Sequence, residues 1–275
     1  MGHNEQNLRA YDGVEDLLTY TSKEAVDQYR LERLEFASGA VAFLEKMLNG
    51  RKQISVLDIG SGSSCLLYAL DNKGILSKGV GIEISKSRHD FAQQWKREGE
   101  YHRVENINKD VRDVSFEKTQ FDVCAILDST FTYFYPVDAQ MPMQILERAY
   151  QALGNGGWLV MEMASFIDTK RLCKDSGVYY KWAELPETNK FLYSLYKVEH
   201  SPEEDVMRSE SRYIYRGKVG ESRKIEYSKV YTPEALEKML IEAGFSKPDF
   251  YDGYNNRAYD PKSSSRLLLS CRKDR

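Results

Sequence analysis

Glycine and serine residues follow an apolar run near residue 60 in a pattern that suits ligand binding. Ile54–Ile59 is mostly apolar and predicts a buried strand, with one acid at Asp58. Gly60–Gly62 then forms a tight turn, and Ser63 or Ser64 can cap the helix that follows. Such a junction directs backbone N–H groups and the positive end of a helix towards a ligand, and glycine permits close approach. A sharp connection without a ligand would have the same pattern, so other residues must decide.

Acidic residues follow two further apolar runs at positions that suit a nucleoside. Gly79–Ile84 predicts a second strand, and Glu83 stands near its carboxyl end, about twenty residues after the glycine turn. A carboxylate there can accept hydrogen bonds from both hydroxyls of a ribose. A third strand near Val104–Asn108 leads to Asp110 and Val111, which could hold the amine of an adenine and cover its ring. The alternatives are an exposed loop acid at Glu83 and a turn-forming aspartate at Asp110.

A polar and aromatic stretch follows the fourth apolar run. Phe121–Leu127 predicts a strand, and Asp128 and Ser129 come directly after it. Ligands of open α/β sheets bind at the carboxyl ends of the strands, so we expect these residues in the same site. Asp128 and His200 are the candidate general bases, although a pocket-lining aspartate and a surface histidine are the simpler interpretations.

Helices and strands alternate regularly around these residues. A helix at Met141–Leu153 and a fifth strand at Trp158–Met163 follow the fourth strand. The alternation predicts an α/β fold with a doubly wound, mostly parallel sheet. Two helical stretches precede the first strand, one beginning after Ser22 and one at Ala37–Leu48.

The N-terminal helices have two interpretations. They could simply pack on the sheet, as most surface helices do. Alternatively, one helix closes over the glycine turn and brings Tyr11, Tyr20 or Tyr29 to the ligand.

The composition limits the classes of partner and of compartment. The chain has 275 residues, of which 41% are hydrophobic, and a formal net charge of −3. This length suits one large domain with an insertion, and without a long basic block nucleic acid is a poor partner. The four cysteines form no Cys-x-x-Cys pair, which argues against a zinc cluster and favours a reducing cytoplasm. No long apolar run or apolar leader occurs, so we expect a cytoplasmic protein without a membrane segment.

Together, these motifs resemble those of the class I S-adenosylmethionine-dependent methyltransferases. The resemblance covers roughly Ile54–Ala164 and the chain from Tyr231 onward. The matching stretches are Asp58–Gly62, Glu83, Asp110-Val111, Phe121-Asp122, the glycine-rich turn Leu153–Gly157, and Tyr231–Leu236 with Ala243–Phe245, which resembles the last helix of the family and its turn.

The resemblance implies a fold, a cofactor and a site. The fold would be a Rossmann-like, doubly wound, mostly parallel seven-stranded sheet with an antiparallel closing strand, N-terminal helices and an inserted lid. The helical cap would comprise residues 1–50, the cofactor-binding core residues 51–164 and 231–275, and the antiparallel lid residues 165–230. The cofactor would be S-adenosyl-L-methionine, and no metal is implied. The residues expected to bind the cofactor are Tyr29, Asp58, Gly60, Ser61, Gly62, Glu83, Ile84, Asp110, Val111, Leu127, Asp128 and Ser129.

Two departures from the family and the inserted segment bear on the methyl acceptor. Ser64 or Cys65 stands where the family often has a third glycine. The fourth strand ends in Asp128–Phe131 (Asp-Ser-Thr-Phe), without the Pro-Pro-aromatic sequence of the nucleic-acid amino-methylases. Residues 165–230 are rich in tyrosine and alternate like antiparallel strands. Small-molecule methyltransferases of the family often insert such a segment above the strand ends as a lid over the acceptor, which would here be a small organic molecule such as a metabolite or natural product; the alternatives are a contact in a homodimer or an insertion without a role in the site.

Two other functions share some of these features. An NAD(P)-dependent oxidoreductase has the glycine turn and the ribose acid, but it does not explain Asp110-Val111 or the turn at Leu153–Gly157. A domain that binds the cofactor or a partner without turnover also fits, since no base is evident. Methyl transfer from a sulfonium is a direct displacement, in which the protein mainly aligns acceptor, methyl group and sulfur. A base is needed only when the acceptor must lose a proton.

Overall fold

The polypeptide forms an α/β structure with two β-sheets. The computed structural model describes residues 7–8, 22–116, 121–174 and 176–274. The strands are β1 (Ile54–Ile59), β2 (Leu76–Ile82), β3 (Val104–Ile107), β4 (Phe121–Ile126), β5 (Leu153–Ala164), β6 (Val178–Glu184), β7 (Phe191–Ser201), β8 (Val206–Tyr215), β9 (Glu221–Lys229), β10 (Asp249–Asp252) and β11 (Arg266–Arg272). The α-helices are α1 (Lys23–Met47), α2 (Cys65–Asn72), α3 (Lys86–Glu98), α4 (Met141–Ala152), α5 (Ile167–Cys173) and α6 (Pro233–Glu242).

The larger sheet has seven strands in the order β10–β11–β5–β4–β1–β2–β3. Strands β1 to β5 pair in parallel, and β11 lies antiparallel between β5 and β10. This arrangement confirms the predicted seven-stranded, mostly parallel sheet with an antiparallel closing strand. The strand order reverses at β1, whose neighbours are β2 and β4, so a crevice is expected beyond the carboxyl ends of these strands.

Helices cover both faces of the large sheet. Leu57 and Ile59 of β1 pack into the core on the side of α4 and α6. Ile54 and Val56 of the same strand pack on the opposite side, against α1, α2 and α3. Burial on both faces explains why β1 is almost continuously apolar, apart from Ser55 and the acid at Asp58.

The smaller sheet contains the antiparallel strands β6–β7–β8–β9 in sequence order. It lies within residues 165–230, where the sequence predicted antiparallel strands, and its last hairpin turns through Gly217 and Gly220. The helix α5 precedes it.

The N-terminal helical region differs from the prediction, because α1 is one continuous helix. No proline interrupts it, and Gly39 is tolerated in its interior because the ring of Tyr254 packs there. A Cβ atom at Gly39 would lie 3.2 Å from Tyr254 Cδ2. The helix therefore has a contact with the C-terminal part of the chain that its sequence period does not reveal.

Strand β5 is longer than predicted. The glycine-rich turn before Trp158 is part of this strand and forms an irregularity in its pairing with β4, since Phe121 pairs with Leu153 and Val123 with Trp158. Among the described residues, none of the helices combines the length and apolarity needed to cross a bilayer.

Candidate functional site

A cavity of about 330 Å³ lies at the carboxyl ends of the central strands, beside the glycine turn. Its volume is within the range of small-molecule and cofactor sites. All but one of the residues that the sequence predicts to bind the cofactor line this cavity. They are Asp58, Gly60, Ser61, Gly62, Glu83, Ile84, Asp110, Val111, Leu127, Asp128 and Ser129.

The glycine turn is fixed to its neighbours by backbone hydrogen bonds. Gly60 and Ser61 both donate N–H groups to the carbonyl of Ile82, at 2.8 and 3.0 Å. Gly60 (φ +72°) and Gly62 (φ +56°) have left-handed backbone conformations that favour glycine. A Cβ atom on Gly60 would lie only 2.3 Å from Thr130 Cγ2. The sequence suggests that a ligand approaches the backbone closely at Gly60. In the structure the side chain of Thr130 makes this close approach instead.

Glu83 connects the glycine turn with the end of β2. Its Oε2 accepts the N–H of Gly62 and its Oε1 accepts the N–H of Ser85, both at 2.8 Å. The side chain is buried but lines the cavity. Each carboxylate oxygen can accept more than one hydrogen bond, so Glu83 retains the capacity to accept ligand hydroxyls.

Asp110 is oriented by the short 3₁₀ helix Val111–Asp113 that follows it. Its carboxylate caps this helix by accepting the N–H of Arg112 at 2.9 Å. It also pairs with the guanidinium of Arg112, with Nη2 at 2.7 Å from Oδ2. Val111 is buried beside it and lines the cavity. The acid and its apolar neighbour thus both lie at the cavity, directly after β3.

Asp128 and Ser129 form a turn between β4 and the 3₁₀ helix Thr130–Tyr133. Both have left-handed backbone conformations, with φ of 50° and 65°. The carboxylate of Asp128 lies between two guanidinium groups, 3.7 Å from Arg33 Nη2 and 3.8 Å from Arg266 Nη2. Because Arg33 comes from α1 and Arg266 from β11, elements far apart in the chain meet at Asp128.

Asp58 is a buried acid at the end of β1. Burial, and secondarily the nearby carboxylate of Glu83, raise the pKa of Asp58 from 3.8 to about 7. Asp58 therefore changes between its protonated and its charged form near neutral pH. A cation bound in the cavity would favour the charged form.

Some cavity residues were not predicted from the sequence. On α1, Arg33, Phe36, Ala37 and Ala40 line the cavity at helical spacing. The small alanines beside an arginine on this one face could have indicated a ligand-facing surface. Tyr254, which follows β10, also lines the cavity, and burial raises the pKa of its hydroxyl well above the ordinary value. No local pattern marks this residue.

Asn7 closes the cavity near the smaller sheet. Its amide nitrogen donates to the carbonyls of Tyr133 (3.1 Å) and Tyr227 (2.9 Å), and its oxygen accepts the N–H of Tyr227 (2.7 Å). Asn7 therefore joins the outer edge of β9 to the 3₁₀ helix at the cavity.

Two residues proposed from the sequence lie away from the cavity. The ring of Tyr29 packs edge-on against Phe91, with centroids 5.6 Å apart, and does not line the cavity. His200 is on β7 in the smaller sheet, where its Nε2 lies 2.9 Å from Asp205 Oδ1. His200 does not line the cavity and is therefore not positioned to act as a base at this site. Tyr11 and Tyr20 lie outside the described residues.

The described residues contain no group of three or more histidine, cysteine, aspartate and glutamate side chains arranged to hold a metal ion. The four cysteines, all of them described, are free and buried.

Comparison with known proteins assigns the fold. Residues 57–161 match the family model described as a methyltransferase domain. An S-adenosylmethionine-dependent methyltransferase from Clostridium acetobutylicum has a TM-score of 0.70 and 16% identity, over 87% of this chain and 91% of that one. The amino pentose methyltransferase CalS10 from Micromonospora echinaspora has a TM-score of 0.67 and 15% identity, over 94% and 99% of the two chains. The sugar N-methyltransferase KedS8 from a Streptoalloteichus species has a TM-score of 0.60 and 15% identity, over 100% and 94%. No curated protein matches the chain in sequence.

The match over residues 57–161 identifies a methyltransferase domain, and the strand order and the cavity at the strand ends agree with the Rossmann-like fold of the similar methyltransferase structures. The cofactor of this domain is S-adenosyl-L-methionine, which the names of similar structures also mention. The cavity residues fit this cofactor, because backbone at Gly62 and carboxylates at Glu83 and Asp110 meet at three adjacent strand ends.

Proposed function

We propose that this methyltransferase acts on a small organic acceptor, and that the cavity holds cofactor and acceptor side by side. The observation that carries the proposal is the composition of its wall. One part consists of the glycine turn and the strand-end acids, and another is apolar and aromatic, formed by Leu8, Phe36, Tyr133, Phe134 and Met141. The polar part of the wall suits the nucleoside of the cofactor, and the apolar part excludes water around a small acceptor. The two parts together suit the alignment of a methyl donor with that acceptor.

We assign the cofactor contacts to the residues at the strand ends. Glu83 would accept the ribose hydroxyls, Asp110 would accept the adenine amine, and Val111 would pack on the ring. The glycine turn Gly60–Gly62 would lie beside the amino-acid portion; its three N–H groups are bonded to Ile82 and Glu83, so other backbone atoms of the turn would make the contact. Arg33 and Asp128 offer opposite charges, 3.7 Å apart, for the carboxylate and the ammonium of that portion.

We further propose that residues 165–230 form a lid over the acceptor and that residues 1–50 form a cap. Asn7 supports this arrangement, because its hydrogen bonds join β9 of the smaller sheet to the 3₁₀ helix at the cavity wall. The core would then comprise residues 51–164 and 231–275.

When bound, S-adenosylmethionine supplies a methyl group on a positively charged sulfur. The protein has to align the acceptor and exclude water, which the rings of Tyr133 and Phe134 can do. The described residues that line the cavity include no histidine, and of its four carboxylates Asp58 is the one without an assigned cofactor contact, so it is the one available to accept a proton. An amine acceptor in its neutral form needs no strong base, and the names of CalS10 and KedS8 refer to an amino pentose and to sugar nitrogen. We therefore place amino sugars first among the acceptors to be tested.

Calorimetry and a transfer assay test this proposal in two steps. The protein should bind S-adenosylhomocysteine and not NADH. With methyl-labelled S-adenosylmethionine, label should pass to a member of a panel of amino sugars, hydroxylated natural products and nucleic acids. Binding of NADH alone would favour an oxidoreductase, and binding without transfer to any acceptor would favour a domain without turnover. Transfer to nucleic acid would contradict the small-molecule proposal.

We also propose that the enzyme is a cytoplasmic homodimer. Its four free, buried cysteines suit a reducing compartment. Tyr180 and Trp182 on the edge strand β6 are 69% and 65% exposed, and Leu195, which pairs with Trp182, is also exposed. Beside them Arg212 and Glu221, whose side chains are 47% and 41% exposed, offer both signs of charge, which a second copy related by two-fold symmetry could match. Light scattering should give twice the mass of the chain, and Trp182→Glu should give a monomer; a monomeric wild-type protein would exclude this.

A further inference from the structure

A buried ion pair lies directly behind the turn that brings Asp128 to the cavity. Glu162 on β5 is only 3% exposed, and Arg266 on β11 is bonded to both of its carboxylate oxygens, with Nη2 at 2.6 Å from Oε2. Neither residue lines the cavity. Glu162 is an acid among the apolar residues of an internal strand, a position normally filled by aliphatic side chains.

Stability alone does not explain this pair. Removing two charges from water costs about as much as their attraction returns, and apolar residues of similar size are often equally or more stabilising. Glu162 and Arg266 therefore have a role besides stability, and their hydrogen bonds indicate what that role is.

Glu162 holds the turn at the end of β4. Its Oε2 accepts the N–H of Asp128 at 3.1 Å, and its backbone carbonyl accepts the N–H of Ser129 at 3.0 Å. The hydroxyl of Ser129 accepts the N–H of Ala164, also at 3.0 Å. Asp128 and Ser129 are consecutive non-glycine residues with left-handed backbone conformations, which persist only when the surroundings impose them.

The same turn determines where Thr130 lies. Thr130 donates its N–H to Leu127 at 3.1 Å, and its side chain contacts the glycine turn at Gly60. The Nη2 of Arg266 also lies 3.8 Å from Asp128 Oδ1, so the pair acts on both the backbone and the carboxylate of Asp128.

We propose that Glu162 and Arg266 are positioning residues for cofactor binding, which hold Asp128 in the cavity and Thr130 against the glycine turn. This inference rests on the proposed role of Asp128 and Gly60–Gly62 in holding S-adenosylmethionine. The pair itself touches no ligand and acts through the turn.

The test compares binding with folding in the full chain. The double variant Glu162→Leu/Arg266→Leu replaces the ion pair with apolar residues. We expect it to melt within a few degrees of the wild type or higher, yet to bind S-adenosylhomocysteine about tenfold more weakly or worse. Glu162→Gln keeps an oxygen that can accept the N–H of Asp128, so it should retain more affinity than the double variant. A purely structural pair would give losses of affinity and of melting temperature in parallel.

The matched control is the ion pair of Asp71 and Arg103, which are 2.8 Å apart, with side chains 9% and 53% exposed, and do not line the cavity. Asp71→Leu/Arg103→Leu should leave the affinity unchanged.

Wild-type affinity in the Glu162→Leu/Arg266→Leu variant would overturn the positioning role and leave the proposed function intact. If the wild type does not bind S-adenosylhomocysteine, both the positioning role and the proposed function are wrong. If the double variant does not fold, Arg266→Lys decides: a folded protein with wild-type affinity refutes the role, and a several-fold loss supports it.

Discussion

The side chain of Thr130 occupies the space that a Cβ atom on Gly60 would need. The built Cβ position lies 2.3 Å from Thr130 Cγ2 and 2.8 Å from its Oγ1. These two residues come from the ends of β1 and β4, the two neighbouring strands at the centre of the sheet. Glycine at position 60 is thus required both by its left-handed backbone conformation and by the contact between two loops of the cavity.

Replacing Gly60 by alanine should displace the glycine turn and weaken cofactor binding. We expect Gly60→Ala to lower the affinity for S-adenosylhomocysteine at least tenfold and the free energy of unfolding by about 1–3 kcal/mol, because a methyl group would overlap Thr130. Gly50 is a matched control, since it has the same φ of +72° and no atom within 4 Å of its Cβ position. Gly50→Ala should cost only about 1 kcal/mol and leave the affinity unchanged.

A second-site change distinguishes the contact from backbone strain. Thr130→Ala removes the two overlapping atoms, so the double variant Gly60→Ala/Thr130→Ala should regain part of the lost affinity. Calorimetry and thermal melting measure both quantities. No recovery in the double variant would show that the backbone conformation of residue 60 alone accounts for the loss.

Glu83 should support both the ligand and the glycine turn. Glu83→Ala leaves the N–H groups of Gly62 and Ser85 without their acceptor, so we expect a loss of about 1–3 kcal/mol in stability as well as a large loss of affinity for adenosine. Glu105→Ala, on the neighbouring strand β3 and exposed, is the control and should change neither. Titration with adenosine and chemical unfolding give the two values. Unchanged adenosine affinity in Glu83→Ala would mean that this carboxylate does not contact the ribose.

The sequence predicted the fold and the position of the glycine turn and the acids at the strand ends, because both depend on local patterns. Apolar runs, the glycine turn and the acids after the strands all repeat with the β–α alternation, and their carboxyl ends must meet at one edge of a parallel sheet. Arg33 and Tyr254 were missed because they reach the cavity through the packing of α1 and of the segment after β10, which no local pattern encodes. His200 was considered as a base from its chemistry alone, and its partner Asp205 could be recognised only in the folded hairpin.

The proton on Asp58 should make the stability of the ligand-free protein depend on pH. The pKa of Asp58 is raised from 3.8 to about 7, first by burial and then by Glu83. A folded pKa above the unfolded one means that the folded state binds the proton more tightly. This contribution to stability is fully present below pH 3.8 and is lost as the pH rises through about 7.

Asp58→Asn, which cannot ionise, should therefore gain stability relative to the wild type as the pH rises from 5 to 8. The expected gain is on the order of 2–3 kcal/mol by linkage, measured by urea unfolding at each pH. The wild-type protein should also release protons when it binds S-adenosylhomocysteine near pH 7, because the ligand ammonium favours the charged carboxylate. Parallel pH profiles for the two proteins would contradict the raised pKa.

Arg33 should distinguish ligands that carry the amino-acid portion from those that do not. Arg33→Met keeps the aliphatic part of the side chain and removes the guanidinium, which lies 3.7 Å from Asp128 at the cavity. We expect the affinity for S-adenosylhomocysteine to fall by about tenfold or more, because its carboxylate loses a charged hydrogen-bond partner, while the affinity for adenosine stays within about twofold. Arg30→Met is the control on the same helix, since Arg30 pairs with Glu98 and does not line the cavity. Equal losses for both ligands in Arg33→Met would instead mean that Arg33 shapes the cavity through Asp128 and makes no separate contact with the carboxylate.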